Sequence, residues 1–184
     1  QYCREYNYNE ELMDELAADR GLKRSTLIEW GVARSIHKDE WLIPAFNTRV
    51  KLINLYRRAR LKNKHGEYEW KQLGTPGCNH GLFGMQLWDS SKPNAKICEG
   101  PWDGMAIWEA LRDHREAQAR QFVRTTDKKL CLLTSNNVVA VPGCEQFREQ
   151  WLETFKNKNV DLLYDSDHPR RTPQDKLIDP AGYK

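Results

Sequence analysis

Residues 94–111, NAKICEGPWDGMAIWEAL, hold a complete strand-to-helix transition, and the same pattern recurs downstream. The short apolar run AKIC stops at Glu99-Gly100. DGMAIWEALRDHREAQARQ then follows, with Met105, Ile107, Trp108 and Leu111 on one helical face. KLCLLTS and NVVAVPG read as further strands, CEQFREQWLETFKN as a helix, and VDLLYDSD as a last strand. Strands that alternate with helices predict parallel βαβ units, apolar throughout because helices cover both sheet faces.

The first half has a different texture. NYNEELMDELAADRGL places Leu12, Met13 and Leu16 at helical spacing before a capping Gly21, and KRSTLIEWGVARS predicts a second short helix capped by Ser25 and ended by Gly31. WLIPAF, VKLINLYRRARL and YEWKQL, separated by NTR and KNKHGE, predict an antiparallel meander, and the glycine-rich GTPGCNHGLFG predicts a loop. The expected fold class is therefore α/β: a mostly parallel sheet with flanking helices over residues 91–184, preceded over residues 1–90 by a small α+β subdomain of short helices and an antiparallel sheet.

In a parallel sheet the functional crevice lies beyond the carboxyl ends of the strands. Here those ends read Glu99-Gly100, Pro142-Gly143 and Asp165-Ser166-Asp167. Right-handed crossovers bring them to one edge. Glu99, Asp165 and Asp167 are then expected to converge, with Asp103 at the mouth of the following helix. Carboxylates gathered at one edge repel unless a cation sits among them, and all-oxygen ligation suits a hard divalent ion such as Mg²⁺. An Asp-x-Asp alone occurs by chance in about half of chains this long. The ordered set is what points to chemistry. The plain alternatives are a solvated strand-end Glu99 and an Asp103 that merely caps its helix.

Charge and composition narrow the classes. With 39% hydrophobic and 30% charged residues among 184, the chain has a modest core, and no apolar run approaches the ~20 residues of a membrane span. The opening QYCREYNYNEELMDEL is polar and acidic rather than a secretory signal, and its start on Gln1 suggests a piece of something longer. Five cysteines without a C-x-x-C argue against a disulfide framework or a cysteine zinc site, so an intracellular setting is expected. Cys78 and His80 offer only two metal ligands. The net charge of +3 is small, but residues 49–71 hold eight basic against two acidic side chains, and residues 1–20 hold six acidic against two basic. Such a segment suits a phosphate-facing surface or a solvated basic hairpin equally well. Trp70, Trp88 and Tyr56 are candidates for base stacking, with core packing as the competing role.

The order strand, E-G-x-x-D, helix, strand, P-G, helix, strand, D-x-D resembles the TOPRIM domain of bacterial primases, topoisomerases and some nucleases. GLFGMQLWDSSKPNAKICEG resembles the entry to that domain in phage and mitochondrial primase–helicases, and LIPAF with VKLINLYRRAR resembles the small sheet those primases carry before it. The resemblance implies a DNA primase: an enzyme that joins nucleoside triphosphates into short primers on a single-stranded DNA template. It implies Mg²⁺ (or Mn²⁺) held by Glu99, Asp165 and Asp167, with Glu99 as acid–base residue or metal-associated carboxylate. Asp103 becomes a supporting acid, Gly100 and Gly143 the turns beside the site, and Arg57, Arg58 and Lys71 the nucleotide or template contacts. It implies a replicative helicase or further domains of the parent chain as partners, in a phage, bacterial or mitochondrial replication setting and away from membranes. HPRRTPQDKLIDP departs from the family, where a glycine follows the D-x-D closely. No zinc module and no G-x-x-x-x-G-K-[ST] loop is present. A TOPRIM nuclease and a non-catalytic nucleic-acid-binding piece remain the competing readings.

Overall fold

The alternation between Glu40 and Leu73 becomes an antiparallel sheet in the computed structural model, which describes residues 6–7, 10–35, 38–121, 135–165, 170–171 and 177–178. Its strands run in sequence order: β1 (Tyr6–Asn7), β2 (Ala33–Ser35), β3 (Glu40–Phe46), β4 (Leu52–Lys62) and β5 (Tyr68–Leu73). Two helices precede β2, α1 (Glu10–Arg20) and α2 (Arg24–Glu29). Gly21 and Gly31 end them in the left-handed region (φ 63° and 73°), where a side chain is strained. Ser25 does not cap α2: it lies inside the helix, and Lys23 takes the cap position without a side-chain bond. The capping demand is met from elsewhere, because Glu109 Oε2 accepts the Lys23 N–H at 2.8 Å and the Thr26 hydroxyl at 2.5 Å.

The second half is the expected parallel unit. β6 (Asn94–Cys98) lies between β7 (Asn136–Ala140) and β8 (Asn159–Leu163), with Cys98 opposite both Ala140 and Leu163. α3 (Pro101–Gln121) packs on one face, and buried Met105 meets Cys98, Val138 and Ala140 there. The other face is not covered by one helix over Cys144–Asn157. Single 3-10 turns at Cys144–Gln146 and Glu149–Trp151 lead into a one-turn helix, α4 (Leu152–Phe155). Five-residue strands span only roughly 17 Å. The crossover returns over that short distance in pieces that set Phe147, Trp151 and Phe155 edge to face or tilted against each other. Of the strand expected at KLCLLTS, residues 129–134 lie outside the described residues. Two short strands, β9 (Arg170–Arg171) and β10 (Leu177–Ile178), pair antiparallel and are the last described elements.

The core crosses residue 90. Met13, Leu27, Trp30, Ile43 and Tyr56 from the first half share one cluster with Phe83, Cys98, Met105 and Ala140. The backbone also joins the two sheets: Phe46 exchanges hydrogen bonds with Leu82 (2.9 and 2.8 Å), and Phe83 does so with Ala140 (2.9 and 3.1 Å). Among the described residues no helix is long and apolar enough to cross a membrane.

Candidate active site at the carboxyl edge of the parallel sheet

Because β6, β7 and β8 run parallel, their carboxyl ends share one edge, and Glu99, Val141 and Asp165 emerge there. The Asp165 N–H donates to Glu99 Oε2 at 3.3 Å, tying the end of β8 to the turn after β6. Asp103 stands in the first turn of α3. Its carboxylate accepts from the backbone N–H of Gly100 and from its own, the reach-back half of a helix-capping arrangement. Lost hydration first and the negative charge of Asp165 second push the Asp103 carboxyl above its ordinary range, while those two N–H donors pull it down. Glu99, Asp103 and Asp165 thus adjoin without an ion-pair partner among the described residues.

A Cβ on Gly100 would lie 2.9 Å from Asp103 Oδ2, so a side chain there would displace the Asp103 carboxylate. Gly143 is extended, and a Cβ on it would meet only Gln146 Cγ at 3.8 Å. Asp167 lies outside the described residues. Among those that are described, no three His, Cys, Asp or Glu side chains form a metal-holding group.

The basic residues of the preceding sheet divide between its two faces. Side chains alternate along a strand, and register pairs Arg58 with Gln72, Arg60 with Trp70 and Lys62 with Tyr68. These six share the face that, further along β3 and β4, buries Trp41, Ile43 and Tyr56 in the core. Arg57 and Lys71 lie on the opposite face, in ion pairs with Glu40 (3.5 Å) and Glu69 (2.8 Å). On the inner face each cation meets an aromatic ring: Arg58 is 5.6 Å from the Trp70 centroid, Arg60 is 5.6 Å and Lys62 5.3 Å from that of Tyr68. Arg58 also reaches Trp102, at 5.4 Å, and so connects this face with the start of α3 beside Asp103.

Of the three stacking candidates, Tyr56 is buried and bonded to His80 Nδ1 at 2.7 Å, and Trp88 packs on Phe155. Trp70 is 41% exposed and Tyr68 58%, so among the described residues these two rings stand open to solvent. Trp102 sits inside E-G-x-x-D at a position the pattern leaves open, so nothing in the sequence singles it out.

The backbone frame has solved counterparts. The primase fragment of the bacteriophage T7 primase-helicase protein matches with TM-score 0.51 and 18% identity, over 82% of this chain and 53% of that one. The RNA polymerase domain of Mycobacterium tuberculosis primase DnaG matches with TM-score 0.54 and 13% identity, over 88% and 61%. The chain has a primase fold. A chain in the structure of bacteriophage T7 lagging-strand DNA polymerase, interacting with primase domains of two gp4 subunits bound to an RNA/DNA hybrid and dTTP, matches with TM-score 0.50 and 16% identity over 82% and 65%. The chain thus spans from about half to just under two thirds of these primase-fold structures. No family model and no curated protein sequence matches it.

Proposed function

We propose that the chain is the catalytic core of a primase-type nucleotidyltransferase, acting at the corner of Glu99, Asp165 and Asp167 on nucleoside triphosphates and a single-stranded DNA template. The observation that carries the reading is a set of carboxylates, without an ion-pair partner among the described residues, at the carboxyl edge of a parallel sheet within a primase fold. Acidic groups that adjoin without a basic partner fit a hard divalent cation, Mg²⁺ or Mn²⁺, with Glu99, Asp165 and Asp167 as the residues to hold it. Bound there, the cation would lower the pKa of the attacking 3′-hydroxyl and shield the pyrophosphate leaving group.

The chain's own residues supply the positioning that such a reaction needs. Glu99 anchors the end of β8 through the Asp165 N–H, which holds the two strand ends in register. Asp103 ties the E-G turn to α3 through the Gly100 N–H. Arg58, Arg60 and Lys62 line the inner face of the hairpin for the template backbone, with Trp70 and Tyr68 exposed for its bases. A helicase or further domains of a parent chain would complete such a machine.

The test is a gel assay on single-stranded DNA with Mg²⁺ and labelled nucleoside triphosphates, comparing the chain with Glu99→Gln and Asp165→Asn. New oligonucleotides that disappear in both variants support the reading. Cutting of the DNA without triphosphates, lost in both variants, assigns the corner to a nuclease instead.

A further inference from the structure

β8 is an outer strand of the parallel sheet. It pairs with β6 on one side, and among the described residues no strand pairs with its other side. Edge strands are ordinarily blunted by proline, a bulge or an unpaired charge. β8 has none of these: its register with β6 is unbroken, and Asp161, its one charged residue, is held by Lys96 Nζ at 2.8 Å. Its apolar side chains stand in solvent, Leu162 at 65% and Val160 and Leu163 less so.

The crossover explains the exposure. Trp151 and Phe155 pack with Ala95, Ile97 and Val139 of β6 and β7, but α4 is a single turn and β8 is left open. A groove of about 760 Å³ results, with buried Ile97 at its base and Phe147, Leu152 and Phe155 along one side. Val160, Leu162 and Tyr164 of the β8 segment alternate along the chain and line the same groove. That set is symmetric about Leu162. If two β8 strands pair antiparallel around Leu162, each Leu162 meets the other and each Val160 meets a Tyr164. On the reverse face each Asp161 meets a Leu163 and keeps its Lys96. Centring the pair on Asp161 would set two aspartates opposite each other, and centring it on Leu163 would set Asp161 opposite Asp165. Like charges so placed are destabilising. Of the three registers, the one about Leu162 is free of that fault.

We propose that β8 is a self-association edge: a second copy of this chain pairs with it antiparallel about Leu162, joining two three-stranded sheets into one. Leu152, Val160, Leu162 and Leu163 together expose on the order of 350 Å² in each copy, the size of a functional patch rather than of scattered surface residues. With the edge backbone included, two copies remove roughly 1,000 Å² from water, just below the ~1,200 Å² at which stable interfaces begin. The dimer is therefore weak, with a dissociation constant on the order of 10–100 µM. The pairing uses the same surface on both copies, so it closes at two. Because the joined strands run antiparallel, the two carboxylate corners lie at opposite rims of the sheet. The inference does not depend on the chemistry proposed for those corners.

The experiment is sedimentation equilibrium in reducing buffer, at concentrations from well below that constant to well above it. The average mass of the parent chain should rise from one chain towards two. Leu162→Lys should weaken association about a hundredfold or more, because two ammonium groups then face each other on the axis. Ile28→Lys, at an exposed apolar position of α2, should associate as the parent does. Circular dichroism melts verify that each variant folds. Facing Cα atoms of an antiparallel pair lie about 4.5–5.5 Å apart, within the reach of a disulfide. Leu162→Cys should therefore form a covalent dimer under mild oxidation, well above the background from the parent's own cysteines. A parent of single-chain mass throughout, a Leu162→Lys chain that associates like the parent, or a Leu162→Cys chain no more cross-linked than the parent overturns the proposal. Masses beyond two chains overturn it as well, since this pairing closes. A single-chain parent whose β8 edge binds an alternating apolar peptide of unrelated sequence assigns the edge to a foreign strand and overturns it too.

Discussion

Gly104→Ala should destabilise the chain, although an alanine inside a helix ordinarily does the reverse. Gly104 lies in the first turns of α3, and a Cβ there would stand 2.6 Å from Trp30 Cη2 and 3.1 Å from both Trp30 Cζ3 and Ala140 Cβ. The ring cannot retreat, because the same Cη2 lies 2.8 Å from where a Cβ on Gly84 would be. Gly84 has φ 80°, and Trp30 is 1% exposed. The indole is wedged between two glycines. Helix propensity favours Ala by about 0.5–1 kcal/mol. Overpacking a rigid core costs about 1–3 kcal/mol. The net is a loss of roughly 1–2 kcal/mol, or about 2–8 °C in melting temperature for a chain of this size. Thermal melts followed by circular dichroism measure it. Combining the change with Trp30→Phe should recover part of the loss, since the smaller ring vacates the space. A Gly104→Ala chain that melts at or above the parent temperature would refute the argument.

Other outcomes follow from single contacts. Thr26 is fully buried, donates to Glu109 and accepts from Arg112 Nη2 at 2.9 Å, so Thr26→Val should cost about 1–3 kcal/mol in denaturant unfolding by stranding those partners. Burial pushes the Cys98 thiol from 9.0 to about 12 and the Tyr56 phenol from 10.0 to about 12. Both therefore contribute stability that is complete below their unfolded values and is lost as pH rises from about 9 towards 12. Cys98→Ala and Tyr56→Phe should each flatten that alkaline decline in melts taken across the range. Mg²⁺ at about a hundred times its dissociation constant should stabilise the parent by ~2.7 kcal/mol against unfolding, and by much less in Asp165→Asn; equal stabilisation of both would remove Asp165 from the metal.

The element types were largely readable because each depended on local signals. Period-two runs at Glu40–Phe46, Leu52–Lys62 and Tyr68–Leu73 became strands, and the 3.6-residue pattern after Gly100 became α3. What could not be read depended on partners distant in sequence. The start of α2 is satisfied by Glu109, 86 residues away from Lys23, so Ser25 was an attractive but unused cap. The aromatic spacing at 147, 151 and 155 suits a helix, yet it is realised by two 3-10 turns and one helical turn over short strands. The meeting of Glu99 with Asp165 followed from topology alone, since parallel strands must end together. Faces were harder. Arg57 and Arg58 are neighbours in a basic run, and only strand register shows that Arg58 alone turns towards the corner.

That division of faces explains why the joint between the sheets matters. The inner face of β4 and β5 begins as core, with Tyr56 packed edge-on against Phe83 at 4.9 Å, and continues outward as Arg58, Arg60 and Lys62 with their aromatic partners. Phe83 is itself bonded to Ala140 at the end of β7, one hydrogen-bonded step from Cys98 and the Glu99 turn. Ala140, through which Phe83 is anchored, is therefore also the residue that ends β7 beside the carboxylate corner. Gly81 lets this happen, since a Cβ on it would meet Phe46 O at 2.9 Å and force apart the Phe46–Leu82 pairing. A ligand reaching from the hairpin face to the carboxylate corner would need both held to a fraction of an ångström. Continuous backbone pairing supplies that alignment, which a flexible linker would leave to chance.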